Sequence, residues 1–203
     1  MNPRIQTLAG LLVLLVISAA STADAVVDPD PNRMSIYFDL EADVYDETTV
    51  PYVVLPAYII LTNPTFPALY GYEMGVQAEG SFSLVQQRLH GQGPITVGCW
   101  IIGTGCHVGL SGPMTTSEAT LLVTLELFIL DSEPIRFTLH GASPPSSGDA
   151  GVPAVLLDND VILPIYPSFW DEVNGEPGVC AVLNGYGVAA DATSWDAIKS
   201  IYR

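Results

Sequence analysis

The chain has 203 residues, 22 acidic against 6 basic, a formal charge of −16 at pH 7 and 49% apolar residues. That balance excludes a nucleic-acid partner, because Arg33, Arg88, Arg136, Lys199 and Arg203 are scattered and form no basic patch. It also disfavours an anionic membrane surface, and the apolar content excludes intrinsic disorder.

The N-terminus runs from Arg4 through an apolar stretch, Leu8 to Ala20, to the small-residue site Ala23-Asp24-Ala25. This is the order of a secretory signal peptide, and residues 1–25 are assigned to one. The apolar stretch is shorter than the ~20 residues that span a bilayer, which sets cleavage ahead of an uncleaved anchor. The chain is therefore expected to be secreted, extracellular or periplasmic. Residues 26–166 are read as one β-sandwich domain and 167–203 as a C-terminal extension.

Residues 26–32 are rich in Pro and Asp and cannot start a helix. Ser35 to Glu41 alternates, with Ile36, Phe38 and Leu40 on one face, and predicts a first strand. An acidic connector, 43–49, leads to a second strand over Val50 to Leu61. Tyr70, Tyr72, Met74 and Val76 form an alternating apolar face with Gly71, Glu73 and Gly75 opposite. Phe82 to Leu89, Ile95 to Ile102 and His107 to Leu110 follow as strands, and Gly112 to Ser117 leads into the most apolar stretch. That stretch, Thr120 to Leu130, predicts the central strand, with Leu121, Val123, Leu125, Leu127 and Ile129 facing the core. Ile135 to His140 alternates again, 141–153 is a Pro/Ser/Gly loop, and Asp158 to Asp160 is a hairpin turn between 154–157 and 161–165. Nine to ten short strands with turn signals between them imply an all-β sandwich or barrel.

In the extension, 178–185 is one more candidate strand. Thr193 and Asp196 form a capping box before a short amphipathic helix whose apolar face is Trp195, Ile198, Ile201 and Tyr202. That face either docks on the domain or is recognised by a partner. Among the cysteines, Cys99 and Cys106 flank a Gly-containing turn and are the expected disulfide, with Cys180 either free and buried or the partner of one of them. C-x-x-C redox spacing is absent.

The stretch 54–63, the Gly-aromatic stretch 70–76 and the Leu-rich run 121–130 together resemble the cohesin-like, carbohydrate-binding-module-like sandwiches of extracellular bacterial proteins. The resemblance covers 34–165. It implies an antiparallel, jelly-roll-type β-sandwich. Cohesins bind dockerin modules through one sheet face, but no contact residue can be carried over. The tail Trp195 to Arg203 resembles that of secreted proteins of environmental bacteria ending in Trp-x-x-Ile/Val-Lys-x-Leu/Ile-Tyr-Arg, which implies secretion and no activity.

Catalytic signatures are sparse. There is no G-x-S-x-G elbow and no H-E-x-x-H, and His90, His107 and His140 are far apart in sequence. Asp28, Asp30 and Asn32 have the alternate spacing of a calcium loop without its glycine or closing glutamate, so no cofactor is expected and Ca²⁺ is a minor candidate. Tyr58, Tyr70 and Tyr72 are candidates for an aromatic sugar platform or for core strand residues. The reading is a secreted, non-catalytic β-sandwich with a structural or adhesive role and a protein or glycan ligand. The alternative is a secreted hydrolase built from dispersed carboxylates or histidines.

Overall fold

A computed structural model of the chain describes residues 28–148, 151–171 and 176–185. The signal peptide, the capping box and the tail Trp195, Ile198, Ile201 and Tyr202 lie outside them. The strands in chain order are β1 (Arg33–Tyr37), β2 (Asp46–Glu47), β3 (Val54–Thr62), β4 (Ala68–Glu79), β5 (Phe82–Leu89), β6 (Ile95–Trp100), β7 (Gly105–Thr115) and β8 (Ala119–Ile129). They continue with β9 (Ile135–His140), β10 (Ala154–Leu156), β11 (Ile162–Pro164), β12 (Tyr166–Pro167), β13 (Trp170–Asp171), β14 (Glu176–Pro177) and β15 (Val179–Leu183).

These strands build two packed sheets. One runs β12-β1-β3-β8-β5. The other runs β11-β10-β4-β9-β15-β2, with β7 on the other side of β4 and β6 beyond β7. Pairing is antiparallel except for two short parallel contacts, β1 with β12 and β15 with β2. β13 and β14 form a separate two-stranded ribbon. The strand expected within 178–185 is β15, which pairs with β9 in the larger sheet. No helix among the described residues is long and apolar enough to cross a membrane.

The core forms between the sheets because both contribute alternating apolar faces. Leu125, Leu127 and Ile129 of β8 meet Met74 and Val76 of β4 and Phe137 and Leu139 of β9 in one buried cluster. β9 shows the alternation most plainly: Ile135, Phe137 and Leu139 are buried while Arg136 is exposed.

The expected face of β8 holds only beyond its first turn of register. A bulge opposite Ile59 and Ile60 pairs them with Val123 and Leu121, so the strand gains a residue and its pleat inverts. Leu122 and Thr120 therefore point inward, and Leu121 packs on the reverse face with Tyr37 and Ile60. The first strand also ends earlier than expected, at Tyr37. The Asp39 carboxylate accepts the amides of Asp43 and Val44, at 3.0 and 2.9 Å for Oδ1, and turns the chain there. That turn carries Ala42 and Tyr45 over the reverse face of the smaller sheet. β3 starts at Val54, because the chain still turns at Pro51 and Tyr52. β7 runs on to Thr115, through residues expected to be a lead-in.

A groove on the outer face of the larger sheet

Strand register places the candidate site. One row across the larger sheet reads Ile162, Leu156, Gly71, Gly109, Ile95. The row beside it reads Pro164, Ala154, Glu73, His107, Val97. Residues in register on adjacent strands share a face, and the intervening Tyr72, Val108 and Val155 are in the core. Both rows therefore face outward.

The first row is tall at its ends and empty in the middle. Gly71 and Gly109 form the floor between Leu156 and Ile162 on one side and Ile95 on the other. The result is a cleft of ≈ 390 Å³. Its walls leave apolar surface in solvent, with Ile95 66% exposed, Val97 77% and Ile162 41%. The two glycines differ. A Cβ on Gly71 would lie 2.7 Å from the Val108 carbonyl oxygen, so the fold itself requires glycine there. A Cβ on Gly109 would meet nothing closer than the Ile95 oxygen at 3.9 Å, so packing does not require glycine at this position.

Glu73 sits at the end of the groove and is buried. Its two oxygens accept the Ser146 amide at 3.1 and 3.0 Å, and Oε2 lies 3.2 Å from His107 Nε2. The same nitrogen lies 2.8 Å from the Pro144 carbonyl. With oxygen acceptors on both sides, Nε2 carries the ring hydrogen. The pair thus ties the 141–148 loop to the sheet.

The other histidines do not converge on it. His90 Nε2 lies 2.9 Å from Thr124 Oγ1, and burial, then the nearby Arg88 charge, lowers its pKa. His140 Nδ1 meets the Gly141 carbonyl at 2.6 Å, and its ring lies over Gly75. Among the described residues no group of three His, Cys, Asp or Glu is placed to hold a metal ion. The oxygens of the calcium-like triad are engaged within the chain. Asp28 Oδ1 accepts the Asp30 amide at 3.0 Å, Asp30 pairs with Arg33 at 2.9 Å, and Asn32 Oδ1 accepts the Thr65 amide at 2.8 Å.

Cys99 and Cys106 form the expected disulfide, joining β6 to β7 beside the groove. Cys180 is free and fully buried, donating to the Phe137 carbonyl at 3.3 Å. Burial pushes its thiol up to about 11, so it is no nucleophile at neutral pH. The tyrosine platform does not form. Tyr72 is in the core, with its hydroxyl donating to the His90 and Leu122 carbonyls at 2.8 and 2.9 Å, and burial raises its pKa. Tyr58 packs on the reverse face of the other sheet. The groove residues carried one sequence signal: the Gly71, Glu73, Gly75 face opposite an apolar one.

No family model matches the chain, and no curated protein matches it. Solved structures that the chain resembles include cohesins. The sixth cohesin of scaffoldin B from Acetivibrio cellulolyticus, solved in complex with a dockerin, superposes with a TM-score of 0.52 at 8% identity, over 76% of this chain and 99% of that one. A type II cohesin domain from the cellulosome of the same organism gives 0.50 at 11% identity, over 75% and 95%. The fold is a cohesin-like β-sandwich.

Proposed function

We propose that the protein is a secreted, non-catalytic module that binds a protein partner through the groove floored by Gly71 and Gly109. The observation that carries this is an exposed apolar trough in the middle of a sheet face, kept open by a glycine that packing does not demand. An apolar centre with a polar rim is the anatomy of a protein interface. The 39–45 turn covers part of the reverse face of the other sheet, over Tyr37 and Ile60. The fold supports the reading: the scaffoldin cohesin above was solved with a dockerin bound. The disulfide and the acidic surface suit an oxidising, extracellular setting.

A hydrolytic reading has one observation in its favour, the Glu73–His107 pair in a cleft. Both Glu73 oxygens are already engaged by the Ser146 amide, which suits a structural tie better than a general base. The test compares wild type with Gly109→Leu, immobilised and exposed to extracellular protein of the source organism. A protein retained by wild type and lost with the groove-filled variant is the expected result. Equal retention by both would remove the groove from the proposal. Hydrolysis of chromogenic ester or glycoside substrates that disappears in Glu73→Gln would replace binding with catalysis.

A further inference from the structure

The smaller sheet carries an uncovered apolar strip on its outer face, away from the groove. In register, Val54 of β3 faces Phe128 of β8, and Phe128 faces Ser83 of β5; Pro56, Glu126 and Gln86 form the next row. Leu55 and Leu127 between these rows pack in the core, so both rows point away from it. Leu130 continues the strip beyond Phe128, and the Tyr52 amide, donating to the Ile129 carbonyl at 2.8 Å, fixes Tyr52 beside it. The strip leaves apolar surface in water: Tyr52 is 75% exposed, Val54 51% and Leu130 41%. Tyr52 also has φ +65°, a costly conformation for a residue other than glycine, and its ring gains little burial to offset that cost. β1 ends at Tyr37, opposite Tyr58, and the 39–45 turn packs over Tyr37 and Ile60. Among the described residues, Tyr52, Val54 and Pro56 are left exposed.

The place where the described chain stops decides what can reach this strip. The described residues end at Gly185, and residues 186–203 follow. Asn184 Oδ1 accepts the Thr49 amide at 2.8 Å, and the Asn184 amide donates to the Glu47 carbonyl at 2.9 Å. A Cβ on Gly185 would lie 3.6 Å from Asp46 Oδ1. Gly185 therefore lies against residues 46–49, the segment that runs through Val50 into Tyr52. Residues 186–194, extended, reach about 30 Å, enough to carry the last nine residues over any part of the strip. As the helix expected from their sequence, residues 195–203 measure about 13 Å. Tyr52 to Pro56 spans about the same length of strand, ~13 Å.

The chemistry of the two surfaces is complementary. The strip is apolar and rimmed by carboxylates: Glu126 stands in the row beside Phe128, and Asp131 and Glu133 follow Leu130 directly. The expected helix offers Trp195, Ile198, Ile201 and Tyr202 on one face, with Lys199 and Arg203 together on its flank. Those two cations are a third of the six basic residues in the chain, and no acid lies between Ala197 and Arg203. A second copy would instead bring a formal charge of −16 against an acidic rim. Tethering also favours the tail over a separate partner, because a short flexible connector holds it at an effective concentration of about millimolar.

We infer that residues 195–203 dock on the strip formed by Tyr52, Val54, Phe128 and Leu130 of their own chain, which leaves the groove free. The test follows acrylamide quenching of Trp195 in the full chain, taken as the difference between wild type and Trp195→Phe, with the mass in solution measured alongside. Trp195 is expected to be shielded in the monomer. Val54→Asp and Leu130→Asp, both surface changes whose folding circular dichroism checks, should each shift the docking equilibrium toward the free tail by about tenfold or more, the loss of one buried aliphatic side chain. Lys199→Glu with Arg203→Glu, which leaves every described residue in place, should release Trp195 as well. Val97→Asp, on the groove wall, should leave the shielding unchanged. Four results overturn the inference: Trp195 as open to acrylamide as free tryptophan, shielding unaffected by Val54→Asp and Leu130→Asp, shielding lost with Val97→Asp, or shielding that rises with protein concentration as a dimer forms. The third would place the tail in the groove, and the fourth would place it on a second copy.

Discussion

Replacing Gly109 by valine tests whether the groove is kept open by selection for binding or by the needs of packing. Gly109 is an exposed strand residue without the positive φ that demands glycine, and an added Cβ has its first neighbour, the Ile95 oxygen, at 3.9 Å. Glycine in a strand interior carries an entropic penalty of about 0.5–1 kcal/mol, and a β-branched residue is favoured there. Gly109→Val should therefore stabilise the fold by roughly 0.5–1 kcal/mol, or raise Tm by about 1–4 °C for a domain of this size. Gly71→Val is the counterpart. Its Cβ would meet the Val108 carbonyl at 2.7 Å, a backbone atom held in the β4–β7 ladder, so it cannot yield cheaply. Overpacking of this kind costs about 1–3 kcal/mol. Thermal unfolding followed by circular dichroism in oxidising buffer measures both. If Gly109→Val lowers Tm as far as Gly71→Val does, the fold demands both glycines and the trough is a by-product of packing.

Three further outcomes can be measured. Replacing both Cys99 and Cys106 by serine opens a ring with a sequence separation of 7; the chain-entropy model assigns such a ring about 2–3 kcal/mol, so Tm should fall by roughly 5–10 °C, and dithiothreitol should have the same effect on wild type. Phe137 is fully buried, with ring centroids 6.4 Å from Phe38 and 5.8 Å from Phe82; Phe137→Ala should cost about 3–5 kcal/mol in urea unfolding, and a loss under 1 kcal/mol would mean the core lies elsewhere. Burial raises the Cys180 thiol from 9.0 to about 11 and the Tyr37 hydroxyl from 10.0 to about 12. Both are raised, so the stability they protect is complete below pH 9 and is lost as pH climbs toward 11 and 12, where the unfolded chain sheds protons the native one keeps. A flat urea midpoint between pH 8 and 11.5 would contradict that burial.

Period-two alternation made most of the strands legible. β5 and β9 match the expected spans, because each is short and ends at turn residues, and β9 alternates throughout. The disulfide was legible because the two cysteines flank a glycine turn. What alternation cannot encode is a bulge. The inserted residue in β8 changes no residue type, so Leu121 reads as core in the sequence while the strand pairing turns it outward. Tyr72 failed as a platform for a related reason: an alternating apolar strand does not say which of its faces is covered.

By itself the chain's residue order determined an all-β architecture, because alternating side chains hide one face from water only where sheets pack on each other or close on themselves. It also determined the strong negative charge, which removes whole classes of partner whatever the fold. The groove was decided by tertiary structure. Gly71 and Gly109 are far apart in sequence and become neighbours through the β4–β7 register alone. Sites of this kind depend on which strands lie side by side, and strand neighbours are set by long-range pairing that local pattern does not contain.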